Sequence, residues 1–330
     1  MSMMTRAKTG MRMALVVAAI SGIAGAASAA DLSKVQVVVF GPPSLGAFLP
    51  PVIKAQKFDA ANGLDIDFVQ RPPDAYATQF NSGEFKVGGS AALLTVGLAD
   101  TKGVKVSYLF NLFDYWAGVV TNKPDIKTLA DLAGKTLAAA RGTTSYAMFE
   151  WLAGRQGLDP SKISPVNTTP PGLIGYALAN RADAVQLWEP AYSTLMAKAP
   201  NTRLIDLNIK KEWTKFAGSP DLPYLGVAAH QDWIKQNPKL VDGLYKSYKA
   251  AADWITAHPK EAAAIIVPKD NGGQREVIEK LITEKDRLGL NVKWAGDQRK
   301  EIEAVYKAGV ESGRLKQMPE EASIYQAPKR

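Results

Sequence analysis

The chain has 330 residues, of which 46% are hydrophobic and 22% are charged, the composition of a globular protein with one large or two medium domains. It contains no cysteine, which excludes disulfides, thiolate metal sites, cysteine nucleophiles and a lipid-anchoring cysteine. The formal charge is +8, but the cations are scattered among acids, as in Lys210-Lys211-Glu212. We therefore expect a solvated surface and no nucleic-acid partner.

The first 29 residues form a separate segment. Three cations and no acid lie among the first twelve residues, an apolar run extends from Met13 to Ala26, and Ala27-Ser28-Ala29 fits an A-x-A cleavage site. This arrangement is typical of a secretory signal peptide and is too short for a membrane span. We expect an exported, soluble protein without a lipid anchor, whose charge is +8 less 3, or +5.

Strand and helix patterns alternate at short intervals after the signal peptide. Strands are predicted at Lys34–Phe40, Leu64–Val69 and Val104–Phe110, with helices at Ala47–Phe58 and Ala91–Ala99. This alternation indicates an α/β fold with a mostly parallel sheet. Between the elements we expect a turn over residues 71–74 and a loop over residues 111–115.

The same alternation begins again around Val120. Strands are predicted over residues 135–140, 165–168, 184–188, 203–207 and 224–229, and a helix over residues 173–179. From Asp232 onward we expect helices that cover a sheet. The restart indicates a second α/β unit.

Two predicted strand-to-helix turns share a pattern. Gly41, Ser44 and Phe48 recur at a constant offset as Gly142, Ser145 and Phe149. Helix N-termini at such turns lie at the carboxyl edge of a sheet, where open α/β sheets bind ligands.

Residues 137–152 predict a strand, a tight turn and the start of a helix. Gly142 permits a positive φ or a close backbone approach, and Thr143, Thr144 and Ser145 are favourable N-cap residues. No Glu or Gln follows three residues later, so no capping box takes up further amides. Beside Arg141, the free amides, the helix dipole and the hydroxyls form either an ordinary capped helix or a seat for an anion.

No motif in the sequence indicates catalysis or a cofactor. Ala133-Gly134-Lys135-Thr136 resembles the end of a phosphate-binding loop, but Leu129 stands where the loop needs its first glycine. His230 and His258 are the two histidines, and no serine-hydrolase or zinc-protease pattern is present. We expect no metal, no cofactor and no enzymatic activity, although a secreted hydrolase or lyase is the alternative of another class.

Aromatic and acidic residues cluster at predicted strand ends. The aromatic residues there are Phe113, Tyr115, Trp116, Tyr146, Trp188 and Tyr192. They are expected in the core or in a ligand cleft. Asp114 and Glu189 lie in the same segments, either as caps or ion-pair partners or as groups that recognise a ligand amine or ring nitrogen. Arg71, after its strand, either is solvated or meets an anion.

Several segments, in this order, resemble one protein family. They are Gly63–Ile66, Ser82–Gly88, Leu129–Thr136 and Asn180–Ala184, the last leading to Trp188-Glu189-Pro190. The resemblance is to the periplasmic substrate-binding proteins of nitrate, sulfonate, taurine and thiamine-pyrimidine-type ABC importers, and it covers most of the mature chain. Enzymes related to this family, the pyrimidine synthases and a sulfinate desulfinase, rely on cysteine chemistry, which this chain lacks.

The resemblance implies a two-lobed, type II "Venus flytrap" with a ligand cleft between the lobes. Lobe one then comprises residues 30–119 together with 225–330, and lobe two comprises residues 120–224. It further implies a monomeric receptor that delivers a small organic anion, such as a sulfonate, taurine, nitrate or a carboxylate, to a membrane permease. The alternative is a receptor for an aromatic or heterocyclic solute such as a pyrimidine.

The resemblance also implies ligand contacts from both lobes. Arg141 to Ser145 match the lobe-two helix N-terminus that holds the anionic group, Ser44 and Ser90 match cleft positions of lobe one, and Glu189-Pro190 match the cleft floor. Arg71 and the Phe113–Trp116 loop depart from the family pattern. The complete expected set is Ser44, Arg71, Ser90, Tyr115, Trp116, Arg141, Gly142, Thr143, Thr144, Ser145, Trp188 and Glu189.

Overall fold

The computed structural model describes residues 32–328, and the predicted signal peptide lies outside this range. Eleven strands are found in it: β1 (Ser33–Phe40), β2 (Leu64–Arg71), β3 (Val87–Ala92), β4 (Val106–Asp114), β5 (Ala117–Thr121), β6 (Thr136–Ala139), β7 (Ser164–Asn167), β8 (Ala184–Trp188), β9 (Arg203–Asp206), β10 (Pro223–His230) and β11 (Leu290–Trp294).

Fourteen α-helices are found in the same residues. They are α1 (Leu49–Ala55), α2 (Phe58–Ala61), α3 (Pro73–Asn81), α4 (Leu93–Thr101), α5 (Thr144–Arg155), α6 (Pro170–Leu178), α7 (Ala191–Lys198), α8 (Ile209–Ala217), α9 (Gln231–Gln236), α10 (Pro238–Ala257), α11 (Pro259–Ile266), α12 (Gln274–Thr283), α13 (Lys285–Leu288) and α14 (Arg299–Glu311). Within the described range, no helix is long and apolar enough to cross a membrane.

The strands form two sheets with equivalent orders. The first sheet runs β2-β1-β3-β10-β4-β11 and the second runs β7-β6-β8-β5-β9. In the first sheet β1 lies between its parallel neighbours β2 and β3, and in the second β6 lies between β7 and β8. In both, the fourth strand in the order is antiparallel to the third. The predicted α/β class with two units is confirmed.

Two segments of the chain pass between the sheets. Tyr115 and Trp116 link β4 to β5, and residues 218–222 link α8 to β10. The Tyr115 amide donates a hydrogen bond of 2.8 Å to the Leu222 carbonyl, so these two crossing segments lie side by side. The boundaries of the two predicted lobes stay a prediction.

Hydrophobic side chains cover both faces of each sheet. On the first sheet, one core packs against α1, α10, α11 and α12. A second core contains residues of both sheets, joined through α4, α5, α8 and α14. A third core lies under α6 and α7 on the second sheet. The two units are therefore packed together through α14 and α5, not only through the crossing segments.

Prolines lie in the first turn of three helices, which follow β1, β2 and β7. α1 contains Pro50 and Pro51, α3 begins at Pro73, and α6 begins with Pro170 and Pro171. Proline is tolerated there because the amides of the first turn have no partner within the helix. α5, which follows β6, has no proline in its first turn.

Three sequence-based expectations were wrong. Residues 111–114 are not a loop but the end of β4, because β10 and β11 pair with them on either side. Residues 71–74 are not a free turn, since Arg71 ends β2 and Pro73 begins α3. The tail after Asp232 is not purely helical, because β11 (Leu290–Trp294) adds an edge strand to the first sheet.

Candidate functional site

The turn between β6 and α5 begins a helix whose cap is Thr143. Its Oγ1 accepts a hydrogen bond from the Tyr146 amide at 3.2 Å and donates one to the Ala140 carbonyl at 2.8 Å. Both bonds fix the point at which the chain enters the helix. The argument made for Gly142 was wrong, because its φ is not positive and a Cβ there would meet nothing within 4 Å.

The next two hydroxyls are held inside the protein. Ser145 is fully buried, and its Oγ accepts a hydrogen bond of 3.1 Å from the Gln186 side chain on β8. Thr144 is also buried, and its side chain lies next to the Tyr224 hydroxyl. In residues 32–328 no acceptor is bonded to the Thr144 and Ser145 amides. The donors that α5 can offer to an anion are therefore backbone amides.

Tyr115 belongs to the framework around this turn. Its side chain is buried, and its hydroxyl donates a hydrogen bond of 2.8 Å to the Ser145 carbonyl. Its ring lies 5.2 Å from that of Tyr224, centroid to centroid, in an edge-to-face arrangement. Burial raises the pKa of both phenols, that of Tyr224 to about 12, so both remain protonated donors at neutral pH.

Arg141 and Arg314 lie on either side of the Gly142 peptide. Arg141 is exposed, and its amide donates to the Asn167 side chain at 3.1 Å. Arg314, from the segment after α14, donates to the Gly142 carbonyl at 3.1 Å. Sequence reasoning missed Arg314 because no local pattern connects it with a turn that lies far away in the chain.

Glu189 is a buried acid at the end of β8. It is 1% exposed and accepts hydrogen bonds from the Ser193 amide and hydroxyl at 3.1 and 3.0 Å. The Nε atom of Arg287, on α13, lies 3.7 Å from its Oε1 atom. Burial raises the pKa of Glu189 to about 7 although the arginine opposes the shift. Arg287 thus brings a cation from the first unit to an acid of the second.

Aromatic side chains surround this acid. The rings of Trp116 and Tyr192 lie 5.0 Å apart, and the Arg287 guanidinium lies 5.2 Å from the Tyr192 ring centroid. Trp188 is half-buried and belongs to β8, where it pairs with Ala117 of β5. Trp116 and Trp188 therefore keep partly exposed faces near the crossing segment.

The three predicted contacts from the first sheet have partners of their own. Ser44 caps a short 3₁₀ helix by accepting from the Gly46 amide at 3.2 Å. Ser90 is fully buried, and its hydroxyl accepts from the Phe40 amide at 2.9 Å. Arg71 donates to the Gln79 side chain and lies over the Phe85 ring. Among the described residues, no hydrogen bond joins these three side chains to the first turn of α5.

Side-chain amides are the hydrogen-bond donors to Asp114. Its carboxylate accepts from Asn111 at 2.9 Å and Asn291 at 2.7 Å, and burial raises its pKa to about 7. It lines a cavity of about 470 Å³ beside the crossing segments, together with Trp116, Lys210, Asp221 and Lys285. Residues 141–145 and 188–189 do not line this cavity. It is therefore separate from the predicted ligand contacts, apart from Tyr115 and Trp116.

The structure thus brings the predicted residues together in groups. Tyr115 and Ser145 are joined by a hydrogen bond next to Thr144, and Trp116, Trp188 and Glu189 lie around the end of β8. Tyr224, Gln186, Arg287 and Arg314 are partners that the sequence did not indicate. Within the described residues, no group of three or more His, Asp or Glu side chains could hold a metal ion.

Residues 52–262 match the model of a protein family described as "NMT1/THI5 like". A protein of Brucella abortus (strain 2308), named as a candidate binding protein, is 22% identical over 208 residues, which are 62% of this chain and 61% of the relative. The match thus spans less than two thirds of that relative's length.

Solved structures share the fold. The periplasmic aliphatic sulphonate binding protein SsuA from Escherichia coli superposes with a TM-score of 0.69 and 17% identity, covering 88% of this chain and 96% of that one. The alkanesulfonate-binding protein SsuA from Xanthomonas axonopodis pv. citri, bound to MOPS, gives a TM-score of 0.67 and 15% identity, covering 90% and 98%. The predicted periplasmic-binding-protein fold is confirmed.

Proposed function

The chain belongs to the NMT1/THI5-like family, and from that premise we propose that it is a periplasmic receptor for a small organic anion. The observation that carries the proposal is the first turn of α5, where the amides of Thr144 and Ser145 are free while the neighbouring hydroxyls are held in place. A fixed turn with free donors at the positive end of a helix is suited to an anion.

The energies indicate that this turn needs help from the rest of the protein. Charge-assisted hydrogen bonds contribute about 1.5–3 kcal/mol each, and a helix N-terminus adds up to about 2 kcal/mol when it is partly buried. Micromolar affinity requires about 8 kcal/mol net of the costs of association. Two amides and one helix end fall short, so contacts from the facing unit are required, and ligand would favour the closed arrangement.

The same proposal includes the lobes, the location and the partner. We include residues 30–119 with 225–330 as lobe one and residues 120–224 as lobe two, although these boundaries fall inside β5 and β10, which belong to the second and the first sheet. The receptor is exported through its signal peptide, acts as a monomer and delivers its ligand to an ABC permease. Sulfonate-binding proteins among the neighbours of this fold support a sulfonate as the first ligand to test.

The test is a ligand screen by native mass spectrometry and thermal shift against alkanesulfonates, taurine, nitrate, carboxylates and pyrimidines. We expect an anion to raise the melting temperature and a double change, Thr143→Ala with Thr144→Ala, to weaken its binding. Thr169→Ala is the matched control, because Thr169 is the N-cap residue of α6 but forms no capping hydrogen bond, and Pro170 and Pro171 follow it. Binding of only cations or neutral sugars would overturn the proposal.

An aromatic or heterocyclic solute is the second candidate. The half-buried faces of Trp116 and Trp188 next to the buried Glu189 favour it, since a ring nitrogen or amine could meet the carboxylate while the rings stack. Tyr115 contributes little to this candidate because its hydroxyl is already bonded to Ser145. A pyrimidine that binds more tightly than every anion in the same screen would select it.

A further inference from the structure

Each crossing segment, or the strand that directly follows it, carries one tyrosine that lies against the first turn of α5. Tyr115 follows β4 and donates its hydroxyl to the Ser145 carbonyl at 2.8 Å. Tyr224, the second residue of β10, has its hydroxyl next to the Thr144 side chain. In the sequence, one segment lies before the second unit and the other lies after it. The fold, not the local sequence, brings them to adjacent residues of the turn.

The two tyrosines also hold each other. Their rings pack edge to face at 5.2 Å, and the Tyr115 amide is bonded to the Leu222 carbonyl, two residues before Tyr224. A pair of aromatic rings in this geometry is stabilising beyond the burial of its area. The two crossing segments and the start of α5 are thereby joined in one closed set of contacts.

Neither tyrosine occupies the groups that would face a ligand. The Ser145 carbonyl also belongs to the helix, and a carbonyl oxygen has two lone pairs, so Tyr115 uses acceptor capacity that no anion needs. The Thr144 and Ser145 amides point away from the body of the helix and stay free. The tyrosines therefore fix the position of the donors without blocking them.

We propose that Tyr115 and Tyr224 are positioning residues that couple an anion at the first turn of α5 to the angle between the two sheets. The inference rests on the proposed function. A displacement of this turn toward a ligand would move both tyrosines. Tyr115 lies in one crossing segment and Tyr224 directly follows the other, and the two units must rotate about these segments. Closure of two lobes through a few residues at the crossing is the general way in which such a hinge works.

The test uses the absence of cysteine in the chain. Lys239→Cys and Lys162→Cys place one label on the exposed surface of each unit, on α10 and before β7. Spin-label distance distributions are then measured with and without the best anion of the screen, in the otherwise unmodified protein and in Tyr115→Phe, Tyr224→Phe and the double variant.

We expect the phenylalanine variants to broaden the distance distribution without ligand at least twofold and to reduce the change that the anion causes. Tyr248→Phe is the matched control, because the buried Tyr248 hydroxyl has no hydrogen-bond partner in the described part of the chain and lies in the first unit's core. A variant that lowers the melting temperature but leaves both distributions unchanged would show a merely structural role and overturn the proposal.

The two proposals fail in different ways. If no anion binds the unmodified protein, the proposed function is wrong, while the distributions without ligand still decide the coupling. If an anion binds and both phenylalanine variants keep the distributions of the unmodified protein, the coupling is wrong and the receptor function stands.

Discussion

Replacement of Glu189 by glutamine is expected to remove a pH dependence from the stability of the protein. The carboxyl is 1% exposed, and burial raises its pKa from an ordinary 4.5 to about 7. Between these values the unfolded chain has lost the proton that the folded protein keeps, so the free energy of unfolding falls as the pH rises from 4.5 to 7 and is level above that.

The magnitude follows from the size of the shift. One pKa unit corresponds to about 1.4 kcal/mol, so the shift of Glu189 corresponds to about 3 kcal/mol over this window. Glutamine can keep both contacts with Ser193, accepting from its amide and donating to its hydroxyl. The variant should therefore gain about 3 kcal/mol relative to the unmodified protein between pH 4.5 and pH 7.5.

The assay is urea denaturation at half-unit pH steps, with the free energy of unfolding extrapolated to water. Glu276→Gln on the exposed face of α12 is the control, and its curve should parallel that of the unmodified protein. Asp114, whose pKa is also raised to about 7, contributes equally to both curves and cancels in their difference. A difference for Glu189→Gln that stays constant with pH would refute the reasoning.

Three further predictions concern stability. Gly89→Ala would place a Cβ 2.4 Å from the Tyr248 hydroxyl and 2.8 Å from Val37, so we expect a loss of about 1–3 kcal/mol in the free energy of unfolding. Gly175→Ala, at an exposed position of α6, meets nothing within 4 Å and should gain up to about 1 kcal/mol. Equal effects of the two changes in urea denaturation would contradict the packing. Thr143→Ala removes the cap of α5 and should cost about 1–2 kcal/mol, and Thr143→Ser, which keeps the hydroxyl, should restore most of this; no rescue in thermal unfolding would show that the cap is not the cause. Lys210→Ala breaks an exposed ion pair with Asp286 and should cost less than about 1 kcal/mol, less still in 1 M salt; a salt-independent loss would point to packing instead.

The turn at the start of α5 could be predicted because its signals are local. An apolar run, a glycine and three hydroxyl residues before a helical pattern identify the strand, the turn and the cap, and Thr143 caps the helix. The repeated pattern of Gly41 and Gly142 also falls on equivalent turns, after β1 and after β6, each at the centre of three parallel strands. Periodicity and turn chemistry carry this information within a short window.

The partners of that turn could not be predicted because they are distant in the chain. Tyr224 meets Thr144, Gln186 meets Ser145 and Arg314 meets Gly142 through tertiary packing. β11 was missed for a related reason. Asn291 and Lys293 lower its hydrophobicity, and the Asn291 side chain bonds to Asp114 of the neighbouring strand β4. Residues that contact an element far away in the chain show no local sequence pattern that predicts the contact.

The prolines at the starts of α1 and α3, which follow strands of the first sheet, distinguish that sheet from the second. A proline has no amide hydrogen, and α3 adds the negative Asp74 in its first turn, so these helix starts offer few donors or repel an anion. The start of α5 keeps its amides. For a receptor of anions, a ligand with one charged end would therefore enter in one orientation, charge toward the second sheet and carbon toward the first. Selectivity between such ligands would then depend on how their uncharged ends contact the first sheet.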